Sequence, residues 1–150
     1  MNDASAIDAH VDRTLDARID ELAALCAIPS VSSSPADLRP CAVAVAGMLE
    51  RRGFAVRIFE AGRAPIVYGE LGTGPRTLLF YNHYDVQPPE PLDLWTAPPF
   101  APARRHGALF ARGAIDDKGE FVSRLAAIDA YRAVYPRSSS RIKIVVEGAE

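Results

Sequence analysis

Apolar residues recur every three or four positions twice in the N-terminal third of the chain. The first stripe contains Ile7, Val11, Leu15, Ile19, Leu22, Leu25 and Cys26, and the second contains Leu38, Cys41, Val45, Met48 and Leu49. This period predicts two amphipathic helices, each with one face in the core. Pro29 is expected to end the first helix. Ser34 and Pro35 are suited to begin the second, and Gly53 to stop it.

Beyond Gly53 the apolar residues alternate or form short runs, which predicts strands. The predicted strands cover residues 54–58, 66–71, 77–81 and 142–146, with a short extended piece at 109–111. Residues 77–81 are apolar on both faces, so this strand is expected to be central and buried. A third helix is predicted from Lys118 to about Tyr135. Its apolar face is formed by Phe121, Val122, Leu125 and Ile128, with Tyr131 or Tyr135. Together the elements predict an α/β fold.

The composition excludes some classes of partner. Apolar residues make up 49% of the 150 residues, which is enough for one soluble domain with a core. Lysine and arginine number 17 against 19 aspartates and glutamates, for a net charge of -2, so neither nucleic acid nor a membrane is expected as a partner. No signal peptide is visible in residues 1–10, and no apolar run approaches the roughly 20 residues of a membrane span. A cytoplasmic location is therefore expected.

Two further features are interpreted as structural or accessory. Cys26 and Cys41 lie on apolar helical faces and are expected to be buried free thiols. The proline-rich segment 86–107 is expected to be a functional loop or a lid, held in place in part by the packing of Trp95.

Three clusters of acidic and histidine residues carry the candidate chemistry. They are His83–Asp85, Asp116–Gly119 and Glu147–Glu150. Each follows an apolar, strand-like run or lies in the turn that opens a helix, which is where α/β enzymes place their functional groups.

Zinc and similar divalent ions bind imidazole nitrogen and carboxylate oxygen. His83 follows a strand and is a candidate ligand. Asp85, two residues on, would lie on the same side of an extended chain and could accept the second N–H of the imidazole. A polar turn after a strand has the same pattern, so this motif alone leaves both interpretations open.

The other two clusters are also ambiguous by themselves. Asp116 fits either a helix N-cap or a carboxylate that bridges two metal ions, and Asp117 is interpreted as a charge at the helix N-terminus. Lys118 is interpreted as neutralising part of this acidic cluster. Glu150, and to a lesser degree Glu147, could act as a general base on a metal-activated water or could be a solvated terminal residue.

Taken in order, five segments resemble the co-catalytic zinc metallopeptidases that include carnosine dipeptidase, aminoacylase, acetylornithine deacetylase and glutamate carboxypeptidase. The segments are residues 28–32 (IPSVS), 83–88 (HYDVQP), Trp95 with Pro99 and Phe100, residues 112–119 (RGAIDDKG) and residues 147–150 (EGAE). The second is most similar to the dipeptidase branch. The resemblance implies a mixed, mostly parallel sheet flanked by helices, truncated at its C-terminal end. The strand at residues 142–146 would then present an open edge, since its next neighbours in the family come later in the chain.

The resemblance also implies roles for individual residues. His83 would bind one zinc ion and Asp116 would bridge two, with cobalt or manganese as possible substitutes. Asp85 would orient His83, and Glu150 would be the general base in the hydrolysis of an amide bond in a dipeptide or N-acyl amino acid. A cis peptide is expected between Asp116 and Asp117.

The resemblance further implies that residues 1–150 are the N-terminal portion of a catalytic domain. The inserted domain that forms the lid and the homodimer, the C-terminal part of the catalytic domain and the remaining metal ligands would be absent. Because a partial site lacks coordination that zinc requires, the 150-residue chain is expected to be inactive alone. A non-catalytic binding module with the same fold is the other alternative, although the intact His83, Asp85, Asp116 and Glu150 favour an enzyme.

Overall fold

The computed structural model describes residues 3–137 and 140–150. Three α-helices are present in this part: α1 (Asp3–Cys26), α2 (Pro35–Glu50) and α3 (Lys118–Val134). The strands are β1 (Ala55–Ala61), β2 (Ala64–Leu71), β3 (Thr77–His83), β4 (Ala103–Arg105), β5 (Ala108–Phe110) and β6 (Arg141–Glu147), with a short 3₁₀ turn at Leu92–Leu94. None of the described helices is both long enough and apolar enough to cross a membrane.

Helices α2 and α3 follow the predicted pattern closely, and α1 follows it only at its C-terminal end. All five predicted core residues of α2 are buried. The same holds in α3 for Phe121, Val122, Leu125 and Ile128. In α1 only Leu25 and Cys26 are buried, and Leu15 is 50% exposed, so its N-terminal half lies at the surface. Ser34 occupies the N-cap position of α2, but its hydroxyl makes no capping hydrogen bond.

The main sheet has the order β1-β2-β6-β3. The pairings of β1 with β2 and of β2 with β6 are antiparallel, whereas β3 and β6 run parallel. The α/β class and the mixed, helix-flanked sheet are thus confirmed. The expectation of a mostly parallel sheet is wrong for the described residues, because the hairpin of β1 and β2 precedes the first crossover helix.

Two expectations about strand position are also wrong. The strand predicted to be central, β3, lies at an edge of the described sheet, and its Leu78 and Leu79 are 54% and 60% exposed. The C-terminal strand β6, expected to present an open edge, lies between β2 and β3 and buries Ile144 and Val146. Apolar side chains on both faces of a strand do not distinguish a central strand from an edge strand that lacks a neighbour.

The core lies between the helices and one face of the sheet. Most of its members come from α2, α3, β2 and β6, and they form one cluster around Leu49, Val67, Leu125 and Ile144. Cys26 and Cys41 are buried free thiols, as expected, and burial raises the pKa of Cys26 to about 11.

Candidate metal centre

The candidate site lies where the parallel strands β3 and β6 end. His83, the last residue of β3, is paired in register with Glu147, the last residue of β6. Parallel strands present their carboxyl ends at one edge of a sheet, and this edge is the usual place for a functional site. The chain leaves β6 through Gly148 and brings Glu150 to the same edge.

Three of the predicted residues meet at this edge. His83 Nε2 lies 3.0 Å from an Asp116 carboxylate oxygen and 3.3 Å from Glu150 Oε2. One potential ligand atom from each of the three residues lies within 4.8 Å of the other two. The tertiary fold therefore brings together residues that are separated by more than thirty positions in the sequence.

Asp85 lies on the other side of the imidazole. His83 Nδ1 is 3.1 Å from the main-chain oxygen of Asp85 and 3.3 Å from its carboxylate Oδ1. With its proton on Nδ1, His83 donates to Asp85 and directs the Nε2 lone pair toward Asp116 and Glu150. Asp85 is 2% exposed, so its position is fixed by the surrounding protein.

The pKa of His83 reflects two opposing influences. Burial by itself lowers the pKa, because it penalises the charged imidazolium. The negative charges of Glu150, Asp117, Asp85 and Asp116 outweigh burial and raise the pKa above its ordinary value. The same concentration of negative charge would attract a divalent cation, which would displace the proton from Nε2.

The peptide between Asp116 and Asp117 is cis, as the resemblance implied. Asp117 is the N-cap residue of α3, yet its side chain makes no capping hydrogen bond. Its Oδ2 instead accepts from Asn82 Nδ2 at 2.6 Å and from the His83 main-chain N–H at 3.0 Å. The interpretation of Asp117 as a charge for its own helix was therefore incomplete, and the role of Asn82 was missed.

Lys118 also differs from its interpretation. Its side chain is fully buried, and Nζ donates to the main-chain oxygens of Leu25 and Ile28 at 3.1 and 2.8 Å. These oxygens belong to the last turn of α1 and the segment after it, where a cation also opposes the negative end of the helix dipole. Lys118 thus attaches the start of α3 to the end of α1 rather than pairing with the acidic cluster.

Gly148 lets the chain turn toward the site against the ring of Tyr84. A Cβ at this position would lie 2.3 Å from the Tyr84 ring, which leaves no room for a side chain. Tyr84 is 1% exposed and its hydroxyl donates to the Pro65 main-chain oxygen at 2.8 Å. Glycine is therefore required for the chain to pass this close to Tyr84 and to place Glu150 at the site.

The donor set suits a divalent ion of the zinc type, since it consists of one imidazole nitrogen and two carboxylates. His83 is the buried member, whereas the side chains of Asp116 and Glu150 are 66% and 56% exposed. The site is consequently open on the carboxylate side, where water and a ligand could enter.

A cavity of about 760 Å³ adjoins the cluster. Asp116 lies on its wall, with Trp95, Leu109, Phe110 and Ile115 among the other lining residues. Its size falls within the roughly 300–1,000 Å³ of small-molecule sites. Trp95 is held by a 2.7 Å hydrogen bond from its indole N–H to the Pro89 main-chain oxygen, so the loop 86–107 is anchored beside the site.

Comparison with known proteins agrees with this geometry. A family model described as peptidase family M20/M25/M40 matches residues 79–150. A succinyl-diaminopimelate desuccinylase from Bordetella pertussis is 33% identical over 137 residues, which cover 91% of this chain and 35% of that protein.

Solved structures show the same similarity. Human carnosine dipeptidase 1 matches 97% of this chain at 29% identity with a TM-score of 0.87, over 34% of its own length. An M20 family metallo-carboxypeptidase from Sulfolobus solfataricus matches 89% of this chain at 30% identity with a TM-score of 0.82, over 31% of its length. The chain spans about a third of the length of these relatives. On its sequence and its fold, the chain belongs to the peptidase family M20/M25/M40.

Proposed function

We propose that this chain is the N-terminal portion of the catalytic domain of a metal-dependent hydrolase that cleaves an amide bond in a dipeptide or an N-acyl amino acid. The observation that carries the proposal is the convergence of His83, Asp116 and Glu150, whose potential ligand atoms lie within 4.8 Å of one another. Membership of a family with both desuccinylases and dipeptidases supports an amide as the bond cleaved.

His83 and Asp116 would hold two zinc ions, and cobalt or manganese could replace the zinc. The metal would supply a Lewis acid for the scissile carbonyl and would lower the pKa of water toward about 7. Asp85 accepts a hydrogen bond from Nδ1–H of His83 and so keeps Nε2 available as a ligand.

Glu150 is proposed as the general base. Its Oε2 lies 3.3 Å from His83 Nε2, at the open side of the cluster. From this position it takes a proton from the attacking water and returns it to the leaving amine. The cavity beside Asp116 would hold part of the substrate.

The proposed activity belongs to a longer protein than these 150 residues. Since the chain spans about a third of the length of its relatives, we propose that further metal ligands, a lid domain and a homodimer interface come from segments beyond it. The 150-residue chain alone is proposed to be inactive. A cytoplasmic location is part of the same proposal.

The test is turnover by the protein encoded by the complete open reading frame. With zinc, cobalt or manganese supplied, it should hydrolyse dipeptides or N-acyl amino acids, N-succinyl substrates included, and a chelator should abolish this. Glu150→Gln should lower kcat by about 10²–10⁴-fold, the usual contribution of a general base.

Glu120→Gln is the matched control, because Glu120 is an exposed carboxylate of the first turn of α3 outside the cluster. An inactive complete protein with metal present would overturn the proposed function. Chelator-sensitive turnover by the 150-residue chain would overturn its proposed incompleteness.

A further inference from the structure

The side chain of Asp117 joins the two elements that carry the proposed metal ligands. It follows Asp116 in the turn before α3, and its Oδ2 accepts hydrogen bonds from Asn82 Nδ2 and the His83 main-chain N–H. Both donors are at the end of β3, one of them on the ligand residue itself. One carboxylate oxygen therefore connects the Asp116 turn directly to the strand end that holds His83.

The His83 N–H needs this acceptor because of the position of β3. On the neighbouring residue, the Tyr84 N–H donates to the Glu147 main-chain oxygen at the end of β6. Successive N–H groups of a strand point to opposite sides, so the His83 N–H points away from β6. Residues 3–137 and 140–150 place no other strand on that side, and Asp117 supplies the hydrogen bond that a neighbouring strand would otherwise make.

Asn82 is a polar residue in a place where an apolar one would be expected. It is 1% exposed, and its Oδ1 finds no hydrogen-bond partner among the described residues. A buried polar atom without a partner costs about 1–3 kcal/mol. The Asn82 amide nitrogen offsets this cost, because it donates the 2.6 Å hydrogen bond to Asp117. A hydrogen bond to a carboxylate is among the stronger kinds in proteins.

We propose that Asp117, with Asn82, is a positioning residue that holds Asp116 at metal-binding distance from His83. This inference rests on the proposed function, since it concerns the geometry of the same site. Asp117 is not among the three residues whose potential ligand atoms lie within 4.8 Å of one another. It acts by fixing the turn on the strand, and the 3.0 Å separation of His83 Nε2 and Asp116 Oδ1 follows from that attachment.

The test is NMR spectroscopy of the 150-residue chain, at a concentration at which sedimentation velocity shows a monomer, with two measurements on each variant. Amide hydrogen exchange at His83 in the metal-free protein reports the attachment directly. Titration with Co²⁺, followed through its paramagnetic shifts, reports metal affinity even where binding is weak. Asp117→Ala should expose the His83 amide to exchange and should lower Co²⁺ affinity about 10–100-fold, the usual effect of losing a group that supports a metal ligand.

Three variants separate positioning from charge. Glu120→Gln removes a negative charge from the first turn of the same helix without touching β3, and it should leave both measurements unchanged. Asp117→Asn keeps one acceptor oxygen, so it should restore part of the His83 protection and of the Co²⁺ affinity. Asn82→Asp replaces the donor with a second carboxylate and should behave like Asp117→Ala.

Each other outcome contradicts the inference. Unchanged exchange at His83 in Asp117→Ala would show that the turn does not depend on this hydrogen bond. Altered exchange with unchanged Co²⁺ affinity would show an attachment without a role in metal binding. Neither result decides the proposed function, which is judged by turnover of the complete protein.

Discussion

At the scale of single residues, the site depends on contacts that leave little freedom. His83 is fixed through Nδ1 by Asp85 and through its main-chain N–H by Asp117. Gly148 is packed against the Tyr84 ring, and Tyr84 is in turn held by Pro65. The donor atoms are therefore positioned by buried neighbours, although two of the three proposed metal-binding or catalytic side chains are themselves exposed.

Gly148→Ala is expected to destabilise the protein. The new Cβ would lie 2.3 Å from the Tyr84 ring, so the ring or the chain after β6 must move, at a cost of about 1–3 kcal/mol. Urea denaturation measures the change. Gly47→Ala is the matched control, because its Cβ meets only Arg51 Nη1 at 3.4 Å, and alanine inside α2 should stabilise by roughly 0.5–1 kcal/mol. Equal stability of Gly148→Ala and wild type would contradict the close packing.

At the scale of elements, charged side chains attach the three helices to one another. Arg52, just after α2, donates to Glu21 of α1 at 2.6 Å and to Asp129 of α3 at 2.9 Å. The Arg52 side chain is only 6% exposed, so the two carboxylates compensate for a buried cation. Lys118 provides a second attachment between α3 and α1 through main-chain oxygens.

Arg52→Met should lower the free energy of unfolding by about 3 kcal/mol at neutral pH, because it leaves Glu21 partly buried without its main partner. Arg39→Met is the control. The pair of Arg39 and Glu60 is 60% and 67% exposed, and its loss should cost less than about 1 kcal/mol. Similar losses for the two variants would show that Arg52 contributes no more than a surface ion pair.

The same pair predicts a dependence on pH. Burial would raise the pKa of Glu21, but the hydrogen bond and the charge of Arg52 outweigh it and lower the pKa below the ordinary 4.5. Stability from a lowered pKa is present above 4.5 and is lost as the pH falls through the value in the folded state. The difference between wild type and Arg52→Met should therefore shrink below pH 4.5 in chemical denaturation. A constant difference would argue against this linkage.

At the scale of the whole molecule, the described sheet has an uncovered edge. The open edge that was expected at β6 lies at β3 instead. On β3, Leu78, Leu79 and Tyr81 are more than half exposed. An edge strand with exposed apolar side chains is prone to pair with another chain.

The 150-residue chain is therefore expected to self-associate as its concentration rises. Leu79→Lys places a charge on the exposed edge strand and should reduce association, as measured by sedimentation velocity. Val43→Lys is the matched control, because Val43 is 54% exposed on α2, away from the edge. A wild-type chain that remains monomeric at all concentrations and melts cooperatively would contradict the prediction.

The sequence by itself determined the three helices, the strands other than β4, and the candidate residues of the site. Each of these depends on a local signal: the apolar period, a proline or glycine, or a cluster that follows a strand. His83, Asp85, Asp116 and Glu150 could be named in this way, and the structure places them at one edge of the sheet.

Only the tertiary structure decided which strand lies at the edge and which partners the polar side chains take. Asp117 binds the end of β3 thirty-five residues earlier, and Lys118 binds the end of α1 about ninety residues earlier. Strand order and such pairings depend on how distant segments pack, because a strand carries the same apolar pattern with one neighbour or two, and a charged side chain accepts many partners. The apolar and polar pattern along the chain does not contain that information.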